Sequence, residues 1–447
     1  MGQRALVYGM AVAGEAVTRA LLARGYTVVV ADDRPTPEGL ATARALGLDV
    51  YEAPPEGKVA KLVERSDLVA PSPGIPEHHP VMAAAARAGV PVRTEIDLAY
   101  EWEQTRPGGP RPMVGITGTD GKTTTTLLAT AMIEASGRRA IAAGNTDVPL
   151  VSALDTDAEV FVVECTSFRL SGTRAFAPRS ATWLNLAPDH LDWHASLASY
   201  IAAKARIYAR QGPHDVAIGY AADPVVMAAL AKAPARHVTF AADDADYHRR
   251  GDELVGPGGV LAAVSTLRRA LPHDGTNALA AAAAVLEAGV ATPDGVAAAL
   301  ASFEGVAHRI AFVAEAGGVR YYDDSKATTP HAAVTAMRAF DRVVLLAGGR
   351  NKGLELGALA AAADHVGAVV AIGEAGPRVA EVFAPHCPVE LVETNMGDAV
   401  RAARRLASPG DVVLLSPACA SFDWYAGYGA RGDDFAREVR EQLGEPS

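Results

Sequence analysis

Cysteine is scarce in this chain. Three occur among 447 residues, Cys165, Cys387 and Cys419, at separations that match no metal-ligand spacing. That argues against a cysteine-built zinc site and a disulfide scaffold, and it fits a reducing cytosol. No uninterrupted apolar run reaches about 18 residues, so no membrane-spanning helix is expected. The opening "MGQRALVYGM" has no basic segment ahead of an apolar core. It reads as a first β-strand, so no secretion signal is expected. Basic residues are outnumbered, 41 Lys and Arg against 52 Asp and Glu, for a formal net charge of -11. This argues against a nucleic-acid partner, because counterion release needs clustered cations. Anionic small molecules stay open, since a local loop can bind phosphate against the overall charge.

What is present is ordinary globular material, 49% hydrophobic and 21% charged, in a chain too long for one core. Three blocks are expected. In residues 1–106, "RALVYGM", "GEAVTRALLARG" and "YTVVVADD" read as strand, amphipathic helix and strand, and "DLVAPSPGI" and "VPVRTEIDLA" continue the alternation. Such repetition predicts a parallel sheet with crossover helices. "TRPGGPRP" (105–112) reads as a linker. In residues 107–306, "PMVGIT", "AEVFVVE" and "SATWLNLAPDH" read as buried strands, with helices at 122–136 and over "SYIAAKARIYARQ". The Ala-rich "ALAAAAAVLEAG" is most simply a packed helix. Residues 307–447 repeat the alternation in "VRYYDDSKATTP", "DRVVLLAGGRNKG", "GAVVAIGE", "PVELVE" and "DVVLLSPACASFD". The polar clusters sit at the carboxyl ends of these strands, where open parallel sheets gather their ligands.

The stretch "VGITGTDGKTTTT" carries the chemistry most plainly. A strand leads in and a helix leads out. Gly115, Gly118 and Gly121 let the backbone turn tightly and point N–H groups inward, and those groups, with the helix N-terminus, would bind phosphate oxygens. Lys122 can reach a β/γ-phosphate, and Thr123, followed by Thr124, can offer a hydroxyl to Mg²⁺. The spelling is compressed, because Ile116 stands where G-x-x-x-x-G-K-[ST] has its first glycine. Glu164 ends the strand "EVFVVE", a place suited to Mg²⁺ beside a phosphate loop; read alone it is equally a solvated strand end. His190, in "NLAPDHLDWH", reads alone as a loop histidine, since Mg²⁺ prefers oxygen. Lys204 falls on the polar side of its helix with Arg206, and read alone it is a solvated lysine.

In the first block "GMAVAG" (9–14) follows a strand, but Ala11 takes the middle glycine of G-x-G-x-x-G, which weakens a dinucleotide reading. Asp32 and Arg34 after the second strand could hold a ribose and a phosphate, and "PSPGI" (71–75) offers a further turn at that edge. In the third block Asp324, Ser325, Lys326, Thr328 and Thr329, Lys352, and Ser416 and Ser421 cluster at three strand ends. Cations and hydroxyls together suggest a small dicarboxylate or phosphate; plain loops are the alternative.

Taken in order, "GTDGKTT", "NLAPDHLDWH", "YIAAKARIY", "HDGTNALAAA", "AHRIAF", "YDDSKATTP", "LLAGGRNKG" and "SPACASFD" with "RGDDF" resemble the Mur ligase family over nearly the whole chain. The last segment resembles its D-glutamate-adding branch. The resemblance implies an α/β protein of three domains: a Rossmann-like N-terminal domain, a central P-loop ATPase-type domain and a Rossmann-like C-terminal domain. It implies an ATP- and Mg²⁺-dependent ligase joining D-glutamate to UDP-N-acetylmuramoyl-L-alanine, cytoplasmic and monomeric. Carried over, Gly14, Asp32, Arg34, Gly74, Asn145 and His190 would bind the UDP substrate. Gly118, Thr119, Gly121, Lys122, Thr123, Thr124, Asn277, Arg309, Asp324 and Lys326 would bind ATP. Thr123, Glu164 and His190 would hold Mg²⁺ with Lys204, which matches the family's carbamylated lysine. Thr328, Lys352, Ser421 and Tyr428 would surround the glutamate. Five places depart from the family pattern: Asp120 and Asp274 for Asn, Arg169 for Gln, "GNTDVP", and the glycine missing from "GMAVAG". Other ligases of this superfamily, a P-loop switch protein and a dinucleotide oxidoreductase are the competing expectations.

Overall fold

The computed structural model describes residues 2–190, 193–267 and 272–444, with the side chains of 272 and 273 excepted. The chain forms two compact units, Met1–Phe303 and Glu304–Ser447.

The first unit opens with β1 (Arg4–Tyr8), β2 (Thr27–Asp32), β3 (Val50–Glu52) and β4 (Leu68–Pro71). They form a parallel sheet in the order β3-β2-β1-β4. Chain direction across the sheet reverses between β1 and β4, which opens a crevice beyond their carboxyl ends. The helix Val12–Ala23 starts there, and Gly14 lets it lie against the preceding turn: a Cβ at 14 would come within 1.9 Å of Gly9 O. The stretch "VPVRTEIDLA" is not a strand. Only Val92 bridges to Val69, and a helix runs over Glu95–Gln104. Thr94 caps it by accepting from Asp97 N at 3.2 Å, and Glu95 and Asp97 suit its N-terminal dipole, so the start signal outweighs the alternation. The linker has no regular structure, yet its end is pinned. The Arg111 guanidinium donates to the Glu103 carboxylate and to the carbonyls of Leu154, Thr156 and Ala158.

The same unit continues with β5 (Met113–Thr117), β6 (Ala140–Gly144), β7 (Val160–Glu164), β8 (Ser180–Trp183), β9 (Val216–Tyr220) and β10 (Arg236–Phe240). These are all parallel, in the order β10-β9-β8-β5-β7-β6. Central β5 is fully buried, which its apolar run with Gly115 allows. The loop after it lies where the strand order reverses. The helix Pro272–Glu287, with buried alanines between 278 and 284, packs against the helix Lys122–Ala135 and against β8, β9 and β10. The helix over "SYIAAKARIYARQ" is shorter than its periodicity suggests, ending at Ala205. A short antiparallel sheet, β11 (His248–Arg250), β12 (Glu253–Gly256) and β13 (Gly259–Ala263), follows, a feature the sequence pattern did not announce.

The second unit holds β14 (Ala311–Ala316), β15 (Val319–Asp323), β16 (Val343–Gly348), β17 (Val366–Ile372), β18 (Val389–Val392) and β19 (Val412–Ala418) in the order β14-β15-β19-β16-β17-β18. All run parallel except the edge strand β14, which turns into β15 through Gly317 and Gly318 at φ +60° and +76°. Positive φ at both central residues is what a tight hairpin demands and glycine supplies.

Candidate active site

The loop Gly118–Gly121 turns from β5 into its helix. Gly121 takes φ +80°, and a Cβ there would lie 2.5 Å from Asn277 Oδ1; one on Gly118 would lie 2.9 Å from Leu184 Cβ. Neither position accepts a side chain, so the loop lies flat between β8 and the Ala-rich helix. Thr125 Oγ1 donates to Asn277 Oδ1 at 3.4 Å, which ties that helix to the phosphate loop. Lys122 folds back, its Nζ donating to Gly118 O at 3.1 Å and Thr119 O at 2.8 Å. Thr123 is half-buried in the first helical turn and Thr124 is buried. The first-turn amides point out of the helix end, the usual place for phosphate oxygens.

Glu164, at the end of β7, is 1% exposed. Asn145 Nδ2 donates to its Oε1 at 2.9 Å, and Asn145 N to its carbonyl at 3.0 Å. Its other oxygen, Oε2, is buried with no hydrogen-bond partner. An orphaned buried carboxylate oxygen is costly unless a cation or donor completes it, so this residue fits a divalent metal. Among the described residues no group of three or more His, Cys, Asp and Glu is arranged to hold one.

Lys204 supplies the main correction to the reading of residues alone. It is not solvated: it is 1% exposed, its Nζ donating to Gly118 O at 2.5 Å and lying 4.7 Å from the Tyr200 ring centroid. Burial, and then the nearby charge of Lys122, hold its ammonium well below the usual lysine range, against the opposing pull of Asp189 and Asp120. Tyr200 packs alongside, its hydroxyl 3.1 Å from Thr119 Oγ1. His190 is exposed at φ +54°, 3.3 Å from the Asp189 carboxylate and stacked at a tilt on Phe168, 4.6 Å between centroids. Asn185, which the sequence reading passed over, accepts on Oδ1 from Thr119 N and Asp120 N, both at 2.9 Å.

At the first sheet's edge Asp32 is taken up internally, accepting from Met10 N at 2.7 Å and Arg34 N at 2.8 Å. It shapes the turn that presents Arg34, which is exposed. Gly74 faces open space. A cleft lined by Ser72, Thr94, Glu95, Phe168 and Arg169 runs from this edge toward the helix Ser167–Ser171. Arg169 Nη1 donates to Glu95 Oε2 at 2.6 Å, both side chains buried. Burial raises the Glu95 carboxyl despite the guanidinium beside it.

In the second unit Asp324 is buried after β15. Ser416 Oγ donates to its Oδ2 at 2.7 Å and Ile310 N to its Oδ1 at 3.2 Å. Desolvation pushes its carboxyl up to about 7, though Ser416 and the Arg309 charge pull the other way. Asp323 holds His308 Nδ1 at 2.6 Å, while His308 and Ile310 sit at φ +59° and +46°. Left-handed backbone at a β-branched isoleucine is strain that the Asp324 bond helps maintain. Lys326 Nζ lies 5.5 Å from the Tyr428 ring and Lys352 Nζ 5.1 Å from that of Phe422. Ser421 is buried, and Thr328 N donates to Lys326 O at 2.9 Å. Backbone pairing of Arg350 with Ala420 joins the Lys352 and Ser421 loops. The buried Arg431 guanidinium clamps Ser325 to Cys419 O, a role that the segment "RGDDF" alone did not reveal.

Three family models match in chain order: the Mur ligase MurD-like N-terminal domain on residues 3–94, the Mur ligase middle domain on 116–285, and the Mur ligase glutamate ligase domain on 308–419. A UDP-N-acetylmuramoylalanine–D-glutamate ligase from Frankia casuarinae is 45% identical, covering 99% of this chain and 95% of its own. The chain belongs to the Mur ligase family. A second ligase of that name, from Thermobifida fusca, is 40% identical over 99% of both chains. The crystal structure of a Thermotoga maritima UDP-N-acetylmuramate–alanine ligase covers 99% of this chain and 100% of its own at a TM-score of 0.58 and 19% identity, so the fold is shared.

In this Mur ligase the phosphate-loop residues, Asn277 and Lys204 come together as one cluster, and Glu164 with Asn145 forms another at the ends of β6 and β7. Asn145 thus lies against the Glu164 carboxylate. Asn185 and Tyr200 were missed because each acts through a partner far away in sequence; the only local signal for Asn185 was its place at a strand end.

Proposed function

We propose that this Mur ligase joins D-glutamate to UDP-N-acetylmuramoyl-L-alanine at the expense of ATP, as a cytoplasmic monomer making peptidoglycan precursor. Relatives of that name at 45% and 40% identity support the substrates. No helix among the described residues is long and apolar enough to cross a membrane. The observation that carries the chemistry is the buried Lys204 amine against the phosphate loop. On this reading residues 1–106 bind the UDP substrate, 107–306 activate with ATP, and 307–447 bind glutamate.

The reaction follows from the difficulty of acylating with a carboxylate. The alanine carboxylate of the UDP substrate attacks the γ-phosphorus, the bond to ADP breaks, and an acyl phosphate forms. The glutamate amine adds to its carbonyl and loses a proton, and the tetrahedral adduct expels phosphate. Two anions approach in the first step, so cations must offset their repulsion. Lys122 supplies one. Mg²⁺, when bound by Thr123, Glu164, His190 and the carbamate of Lys204, would supply further positive charge at the phosphates. Arg34, Gly74 and the turn shaped by Asp32 and Gly14, with Asn145 and His190, would take the UDP substrate. Asn277, Arg309, Asp324 and Lys326 would hold ATP, and Thr328, Lys352, Ser421 and Tyr428 the glutamate.

Phosphate release with the UDP substrate and a panel of amino acids, both glutamate enantiomers included, tests the reading. D-glutamate should be the preferred acceptor; preference for L-alanine or a diamino acid would reassign the enzyme within its family. Lys352→Ala should raise the KM for glutamate about tenfold or more, with those for ATP and the UDP substrate nearly unchanged, because a charged hydrogen bond to one substrate is lost. Equal effects on all three would remove Lys352 from the glutamate site.

A further inference from the structure

The phosphate loop is secured from outside itself. Thr119 N is shared between Asn185 Oδ1 at 2.9 Å and Asn185 O at 3.2 Å. Asp120 N also donates to Asn185 Oδ1 at 2.9 Å, and Asn185 Nδ2 returns a bond to Asp120 O at 3.2 Å. One side-chain amide therefore satisfies both successive N–H groups of the loop and one carbonyl. The following segment closes on the same loop: Ala187 N donates to Thr119 Oγ1 at 2.9 Å. Asn185 is itself anchored, because Trp183 Nε1 donates to its carbonyl at 3.0 Å.

We infer that Asn185 is the positioning residue of the phosphate loop, and that it sets ATP affinity without touching the reacting atoms. The loop contains Gly118 and Gly121, so left alone it would sample many conformations, and ordering it would be charged against nucleotide binding. Asn185 orders it beforehand. It also assigns the loop's donors: the amides of Thr119 and Asp120 face Asn185, which leaves those from Gly121 into the helix for phosphate. An amide suits this task better than a carboxylate. Aspartate would also accept from two N–H groups, but it could not donate to Asp120 O, and it would place a negative charge beside a triphosphate.

The inference rests on the ATP-ligase reading, and its test separates the two. Asn185→Ala and the isosteric Asn185→Asp would be compared with the wild type for kcat and for the KM of ATP, UDP substrate and D-glutamate. Calorimetric binding of the UDP substrate without ATP would report folding. Asn185→Ala should raise the KM for ATP about tenfold, because only a fraction of the free loop stays competent. Asn185→Asp should raise it further. The other two KM values should stay within about twofold, and kcat at saturating ATP should fall less than the KM rises, since bound nucleotide orders the loop anew. An ATP KM unchanged in both variants overturns the proposal, as do three KM values rising together. Should Asn185→Ala lose UDP-substrate binding, Asn185→Asp decides. A wild-type protein that releases no phosphate with any acceptor overturns the ligase reading instead.

Discussion

Lys122→Ala should lose about a hundredfold to a thousandfold in turnover, the range typical of removing one charge-stabilising donor from a transition state. The substituted protein should still bind the UDP substrate, most of whose proposed contacts (Gly14, Asp32, Arg34 and Gly74) lie on another sheet. Lys122 Nζ rests on the carbonyls of Gly118 and Thr119. Those two bonds hold the ammonium against the phosphate loop, beside the helix N-terminus. Alanine removes the cation, while Gly118 O keeps its bond from Lys204 Nζ and Thr119 O loses its Lys122 donor, so the fold should survive. Single-turnover acyl-phosphate formation, trapped chemically, reads the step directly. Retention of more than about a tenth of wild-type turnover would sink the electrostatic role, because it corresponds to a loss below about 1.4 kcal/mol.

Lys204→Ala should be nearly inactive, and formate or acetate should restore part of the activity. A free lysine ammonium does not react with CO₂; the neutral amine does. Burial lowers the Lys204 pKa well below the usual lysine range, and the charge of Lys122 adds to it, which favours the neutral amine. It forms a bond to the carbon of CO₂, releases a proton, and becomes a carboxylate-like anion. The bond from Nζ to Gly118 O places that anion beside the phosphate loop. Its oxygens are the donors that Mg²⁺ prefers, and with the unpartnered Glu164 Oε2 they would serve as its ligands. A short carboxylic acid in the cavity left by alanine would stand in for the carbamate. The same acids should not revive Lys122→Ala, where a cation is missing. Near-normal turnover of Lys204→Ala would end the idea, and so would ¹³CO₂ labelling that finds no carbamate on the active wild-type enzyme. Failure of rescue alone weighs less, because the cavity must first admit the acid.

Much of the fold was legible because its signals are local. Apolar runs between glycine turns, as in "RVVLLAGG" and "DVVLLSPA", identify strands buried on both faces. The misread segment, "VPVRTEIDLA", fails for a local reason too: Thr94 with Glu95 and Asp97 is a helix start, and capping outweighs alternation over so short a run. Arg169 shows a different limit. A departure from the family's glutamine is visible in sequence, but its buried partner Glu95, 74 positions away, is not.

By itself the sequence determined the order of α/β elements, the glycine loop before Lys122 and the family. Backbone conformation answers to neighbours within a few residues, and the family motifs are written in consecutive letters. Only the tertiary structure decided the state of Lys204. Its helix position with Arg206 suggested solvent, yet its hydrogen-bond partner lies 86 residues away. The clamp of Asn185 on Thr119 spans 66 residues in the same manner. Desolvation and hydrogen bonding depend on everything packed around a group, so protonation and loop order are properties of the assembled unit.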